Sequence, residues 1–480
     1  PMSKPNILFL TVDCLRYDRC GFNGYTRQTT PTLTELARSS LVFDTAVSTG
    51  PYTPESVPGF LAGLHGYNSA YYSDVDWTAI PNDAKTLASH FHDSGWETIA
   101  TISNPQLTTE RNFNTGFDSF RNLRTEDSET EIGNPPGSAG PLRKRVSSVL
   151  RSVRDQTRSM ENTSISSVLY ALYRYQQLRT DWPTTRGEVV VDSLLDELDA
   201  RDRGRPFFAW THLMDLHAPL HPDSIREGGL AWSDATARHL LADAGRMANQ
   251  HTPAYETMYD SALRYVDAQI ARVVEYLQEA GVWNETILVV TADHGEALFE
   301  RGVYAHQYHN LFDELLHVPF LVRTPDGTAD RFDAPFSLAW IHELLSDLAD
   351  IKRGPLPAAS GRSSHLDDKD HAIALSDSVS HRGHTVTART ARHKFVQHFG
   401  EPLYREHRLA SAVDPFNGEG VTYDLRADPA EHLPLDATDS PPELRELVND
   451  VQVDPTDIPS LAGELDTEAK DRLKDLGYVE

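Results

Sequence analysis

Thr286-Ile287-Leu288-Val289-Val290-Thr291-Ala292-Asp293-His294-Gly295-Glu296 is the stretch from which the rest of the chain is read. Residues 286–290 are short-run, apolar and β-branched, the pattern of a buried strand in a parallel sheet. A carboxylate, an imidazole and a glycine follow at its C-terminal end. In open α/β sheets, ligands bind in the crevice beyond the carboxyl ends of the strands. Asp293 and His294 offer an oxygen and a nitrogen to a divalent cation, and Gly295 lets the backbone turn away. A polar turn with Asp293 as a helix cap would use the same residues.

The N-terminus repeats this grammar. Pro5-Asn6-Ile7-Leu8-Phe9-Leu10-Thr11-Val12-Asp13 reads as a strand ending on a carboxylate, so Asp13 and Asp293 can meet across a parallel sheet and share one ion. Arg16 follows three residues later, suited either to an anionic oxygen or to a nearby acid such as Asp18. Thr29-Thr30-Pro31-Thr32-Leu33 begins a helix with a proline in its first turn. In Thr53-Pro54-Glu55-Ser56-Val57-Pro58, Thr53 or Ser56 reads as a cap at a helix start. A hydroxyl there is also where an anion would arrive, so Thr53 is a candidate nucleophile.

Alternating strand and helix patterns continue to about residue 122, as in a doubly wound sheet. Residues 125–182 read as an inserted segment, including a basic amphipathic helix over 142–158 that could face a membrane surface or pack inward. Residues 188–198 are helical. Pro206-Phe207-Phe208-Ala209-Trp210-Thr211-His212-Leu213 is a buried strand, and His217 stands just beyond its end. A long helix over 258–280 leads back to the central strand. His306 and His309 lie in a loop before the apolar strand His317-Val318-Pro319-Phe320-Leu321-Val322. The organisation expected is an α/β domain over 1–355, a linker over 355–364, and a small α+β subdomain over 365–480.

Composition narrows the function classes. The 480 residues carry 71 acidic against 44 basic side chains, a formal charge of −27, and only eight of the basic residues are lysine. Such acid excess resembles proteins of salt-loving microbes, where it hydrates the surface. It leaves no broad basic face for nucleic acid. No apolar run approaches the ~18 residues of a membrane span. Residues 7–12 are too short for a signal peptide's apolar region, so a cytoplasmic location is expected. Cys14 and Cys20, the only cysteines, support neither a disulfide framework nor a cysteine zinc site.

Taken together, PNILFLTVDCLRYD, TTPTLTELA, FLAGLHG, RPFFAWTHLMDLHAP, TILVVTADHGE, FDELLHVPF and VTYDLRADPAEH resemble the sulfatase branch of the alkaline phosphatase superfamily, in order and over nearly the whole chain. The resemblance implies the α/β sulfatase-like fold. It also implies one divalent metal on Asp13, Asp293 and His294, of a kind (Ca, Mn, Mg or Zn) that it does not fix. Thr53 falls at the family's nucleophile position and would also touch the metal. His217 matches a histidine contacting the anionic group or leaving oxygen, and His306 a Lys or His that holds the anion. Arg16 and Lys394 belong to recurring family segments and, with His309, are expected substrate contacts.

Two departures matter. Typical sulfatases mature the Cys of a C-x-P-S-R motif to formylglycine, whereas this chain has Thr53 and Val57 in that region, and Cys14 replaces a second metal-binding aspartate. They turn the expectation toward a metal-dependent hydrolase of phosphate mono- or diesters or phosphonate esters. A sulfate-ester hydrolase, a head-group transferase and an inactive binding homologue are the alternatives. The expected partner is a small anionic ester, such as a glycan or lipid head group, and self-association is compatible with the sequence.

Overall fold

The computed structural model describes residues 4–72, 77–125, 182–231, 253–302, 304–352, 372–403 and 413–461. The basic helix read over 142–158, the linker over 355–364 and most of the 125–182 segment lie outside these residues.

Nine strands form the main sheet. In chain order they are β1 (Asn6–Val12), β2 (Leu41–Val47), β3 (Glu97–Ile102), β4 (Ser119–Asn122), β5 (Phe207–Leu213), β6 (Thr286–Ala292), β7 (His317–Val318), β8 (Phe320–Arg323) and β9 (Asp330–Ser337). Their spatial order is β7-β2-β8-β6-β1-β5-β3-β4, with β9 beside β2. The strands from β6 through β4 run parallel. The sheet is nevertheless mixed, because β8 runs against both β6 and β2. The single apolar strand expected around 317–322 is divided at Pro319, whose missing N–H cannot complete a ladder.

β1, β5 and β6 are buried along their whole lengths, which accounts for their unbroken apolar sequences. Register decides what they present. Val12 pairs with Leu213 on one side and with Ala292 on the other, so Asp13 and Asp293 leave the sheet at one level.

Two helices hold this edge. Within α1 (Thr53–Ala62) every residue is buried, and Phe60 packs edge-on against Phe9 of β1 and Trp210 of β5. Burying a phenylalanine of this kind contributes about 1.5–3 kcal/mol. Pro58 inside α1 cannot donate to the Pro54 carbonyl, and the Thr78 hydroxyl donates to it instead. The second helix, α2 (Pro253–Glu279), sends Tyr259 to donate to Cys14 O at 2.6 Å and to accept from Arg16 N at 3.1 Å. That pair fixes the turn after β1, where Cys14 takes a left-handed φ of 62°.

Beyond the main sheet, β10 (Ala374–Ser380), β11 (Gly383–Arg389), β12 (His393–Gly400), β13 (Val421–Asp424) and β14 (Leu435–Asp436) form an antiparallel sheet. It reaches back to α1. Asp377 of β10 accepts from Gly66 N and Tyr67 N at 2.9 and 2.8 Å, and Glu55 of α1 accepts from Val379 N at 2.7 Å. Burial, with Asp377 nearby, pushes the Glu55 carboxyl well up. Among the described residues, no helix is long and apolar enough to cross a membrane.

Candidate active site

Asp13, Asp293 and His294 converge at the carboxyl ends of β1 and β6, fully buried, with donor atoms within 4.8 Å of one another. His294 Nε2 lies 3.5 Å from Asp293 Oδ2 and 3.9 Å from Asp13 Oδ1. Its Nδ1 lies 2.7 Å from Gly295 O, so that nitrogen carries the ring proton and Nε2 presents its lone pair inward. Gly295 is required by close approach: a Cβ there would meet Glu314 O at 2.1 Å.

Thr53 opens α1, yet it caps nothing. The residue before it, Tyr52, stands at the cap position without a side-chain cap bond. The Thr53 hydroxyl instead lies 3.3 Å from Asp13 Oδ2 and 3.3 Å from His294 Nε2. Ser56, the other candidate cap, donates to Asp293 O. The start of a ten-residue helix thus faces the two carboxylates, adding its positive end to the site.

His306 and His217 complete the cluster. The His306 ring lies 4.5 Å from that of His294 and 5.0 Å from that of His217. Burial alone would lower His306, but Glu296, 3.1 Å from its Nδ1, raises it above the ordinary histidine value. Burial takes His217 the other way, down to about 4. Two neighbouring imidazoles are therefore biased toward opposite protonation states. The loop carrying His306 holds left-handed φ angles at Phe299, Arg301, Ala305 and His309. Such strain persists only where surrounding contacts over-determine it. Arg301 supplies one, by pairing with Glu314.

The donor set fits a divalent cation. Burial raises Asp13, but the His212, His217 and His294 rings hold its carboxyl below the usual range, while burial and the Asp13 charge push Asp293 up. Asp293 Oδ2 is buried without a hydrogen-bond partner. Two carboxylates sealed together in this way call for a cation between them. Cys14 sits at the same place, its thiol 2.7 Å from Asp13 Oδ1 and 3.6 Å from His306 Nδ1. Burial raises that thiol well above its ordinary value.

Three expected substrate contacts have other partners. Arg16 makes four hydrogen bonds through its guanidinium, two to Asp18, one to Glu300 at 2.7 Å and one to Glu296 O at 2.9 Å. Its guanidinium locks the turn after β1 to the His306 loop, and the pairing with Asp18 open from spacing alone is the one formed. His309 places Nδ1 2.7 Å from Thr385 Oγ1 and Nε2 2.8 Å from Ser380 Oγ, joining its loop to the antiparallel sheet. Lys394 of β12 is fully buried, with Nζ 2.8 Å from Asp313 and 2.7 Å from Glu431.

The Lys394 network titrates in a predictable sense. Asp313, which Arg389 also pairs at 2.7 Å, is held below the usual carboxylate range despite its burial. Glu431 is pushed up to about 7 by burial, against the pull of Lys394 and with Asp313 and Glu314 adding to the rise. A folded pKa above the unfolded value stabilises fully below about 4.3 and loses that stabilisation as pH rises through 7. Glu431→Gln stays neutral throughout. Its melting temperature relative to wild type is therefore expected to rise between pH 5 and pH 8 in parallel thermal melts; a pH-independent difference would contradict this.

His212 and Asn104 are the site residues that sequence reasoning missed. His212 Nε2 is 3.5 Å from Asp13 Oδ2, and Asn104 Nδ2 is 3.4 Å from the same oxygen. The one signal for His212 was an imidazole within an otherwise apolar strand ending near His217. Asn104 gave none, since it acts from the loop after β3.

The sulfatase family model matches residues 5–351. An arylsulfatase of Clostridium perfringens is 25% identical over 471 residues, covering 89% of each chain. A solved structure in complex with its substrate D-glucosamine-2-N,6-O-disulfate superposes with a TM-score of 0.62 at 15% identity, covering 95% of this chain and 99% of that one. The phosphonate monoester hydrolase of Agrobacterium radiobacter gives a TM-score of 0.55 at 16% identity, covering 90% and 91%.

Proposed function

Because this chain belongs to the sulfatase family of hydrolytic enzymes, we propose that it cleaves phosphate mono- or diesters or phosphonate esters, with Thr53 as nucleophile. The observation that carries this reading is the Thr53 hydroxyl, 3.3 Å from both Asp13 Oδ2 and His294 Nε2 at the start of a buried helix. An unmodified hydroxyl replaces the formylglycine route, because no cysteine stands in 53–57 and the chain's two are Cys14 and Cys20. The fold is shared with a phosphonate monoester hydrolase as well as with the structure bound to a disulfated sugar, so it is compatible with phosphorus esters.

Asp13, Asp293 and His294 would hold a divalent ion, which when bound supplies positive charge to polarise the ester and favour the alkoxide of Thr53. Thr53, its hydroxyl held by Asp13 Oδ2, gives its proton up to solvent, and its oxygen bonds phosphorus as the bond to the leaving oxygen breaks. His306, biased toward its protonated form by Glu296, donates a proton to that leaving oxygen. His217 Nδ1 lies 2.6 Å from Ala218 O and so carries the ring proton, leaving Nε2 as the basic nitrogen. That nitrogen takes a proton from the water that then attacks phosphorus and releases Thr53. The two histidines divide acid and base work according to their opposite shifts.

Sulfate esters are the second reading, favoured by the Clostridium perfringens arylsulfatase relative. The acid-rich composition supports assay in molar salt. There, p-nitrophenyl phosphate, bis-p-nitrophenyl phosphate, p-nitrophenyl phenylphosphonate and p-nitrophenyl sulfate are compared by kcat/KM. A phosphorus ester is expected to lead, with a phosphoryl adduct on the Thr53 peptide after acid quench. Turnover confined to the sulfate would establish the second reading.

A further inference from the structure

We propose that His212 is a further ligand of the ion at Asp13, Asp293 and His294, and that the resulting set of two imidazoles and two carboxylates selects a transition ion of the zinc class over calcium. The inference rests on the metal site of the function proposed above and deepens it.

His212 is fully buried in β5, where its register partner is Thr11 of β1. Its Nε2 has no hydrogen-bond partner, although it lies 3.5 Å from Asp13 Oδ2 and 4.0 Å from Asp293 Oδ2. Asp293 Oδ2 is likewise buried without a partner. Two such atoms facing each other in a sealed site leave both desolvation costs unmet, and a shared cation meets them together.

The other side of the ring fixes which nitrogen can bind. Trp210 Nε1 donates to Thr11 Oγ1 at 3.0 Å, and that hydroxyl donates its single proton to Thr211 O at 3.1 Å. His212 Nδ1 lies 2.9 Å from the same oxygen. All three contacts are satisfied only if Nδ1 carries the ring proton and donates it to Thr11. The lone pair then stands on Nε2, toward the carboxylates. His294 is set in the same way by Gly295 O. Each ring thus has a hydrogen bond behind it that fixes tautomer and orientation, the usual support of a metal-binding histidine.

The donor types decide the ion. Calcium takes oxygen ligands, whereas imidazole nitrogen suits zinc and its transition-metal neighbours. A site in which half of these side-chain donors are imidazoles discriminates against calcium by chemistry alone.

The test uses the full chain freed of metal with a chelator and reloaded with Co²⁺ as a paramagnetic stand-in for zinc. Two hyperfine-shifted, solvent-exchangeable imidazole N–H signals are expected in the proton NMR spectrum, from Nδ1–H of His212 and of His294. A single signal overturns the assignment of His212 and leaves the metal site standing; failure to take up Co²⁺ at all overturns the metal site as well. A thiolate-to-cobalt absorption band lost in Cys14→Ser would move the ion to the Cys14, His294 and His306 cluster and also overturn the assignment. By calorimetry, Zn²⁺ is expected to bind wild type about 100-fold more tightly than Ca²⁺, and His212→Gln to weaken Zn²⁺ at least ~10-fold with Ca²⁺ little changed. Equal affinity of the two ions for wild type, or unchanged Zn²⁺ affinity in the variant, contradicts the proposal. If His212→Gln does not fold, the wild-type cobalt spectrum still decides.

Discussion

Thr53→Ala is expected to lower kcat on the best ester by about 10⁴-fold or more, the scale on which loss of a nucleophile is felt. The fold should be little disturbed. Thr53 makes no cap bond, and α1 is held by Phe60 against Phe9 and Trp210 and by the Thr78 hydroxyl on Pro54 O. Thr53→Ser keeps the oxygen and should retain measurable turnover with the same adduct on residue 53. Circular dichroism and metal titration of both variants separate lost chemistry from lost structure. Full rates in the alanine variant on every ester would remove Thr53 from the reaction.

The second large effect is on stability. Lys394→Met deletes the buried cation between Asp313 and Glu431, 2.8 and 2.7 Å from its Nζ. Breaking a buried pair by removing one partner costs about 3–5 kcal/mol, because the charge left behind stays desolvated. Arg389 remains on Asp313, and Glu431, already raised to about 7, takes up a proton once its cation is gone, so the loss is expected near the lower end of that range. Denaturant unfolding at pH 7 should show a clear fall in midpoint. An unchanged midpoint together with a raised KM would return Lys394 to the substrate, the role its family segment suggests.

These two residues also mark how far the sequence could be read. Strand ends are legible because burial on both faces writes an apolar run and a carboxylate interrupts it. Asp13 and Asp293 stand out for that reason, and parallel pairing of neighbouring strands brings their ends level. Thr53 is legible as a hydroxyl at a helix start. The chemistry of Arg16, His309 and Lys394 is not, because a charged or polar side chain looks the same whether it waits for a substrate or is already engaged. Lys394 is engaged by Glu431 and Asp313, and His309 by Ser380 and Thr385, each distant in sequence. His212 failed in the opposite sense. A histidine within an apolar strand reads as core, and only the register with Thr11 and the approach of Asp13 give it another part. The reversed direction of β8 is not legible in the sequence, because strand direction is set by connections and not by composition.

The contacts of Glu55 with Val379 and of Asp377 with Gly66 and Tyr67 carry a consequence for any attempt to reduce this enzyme to its minimum. A shortened chain ending before β10 would retain Thr53, Asp13, Asp293, His294, His306 and His217. It would lose the brace that the C-terminal sheet sets against the helix bearing Thr53, and expose the Glu55 carboxyl that now sits sealed. The antiparallel sheet is thus part of the machinery that aims the hydroxyl, and the reactive centre does not separate from it as an independent module.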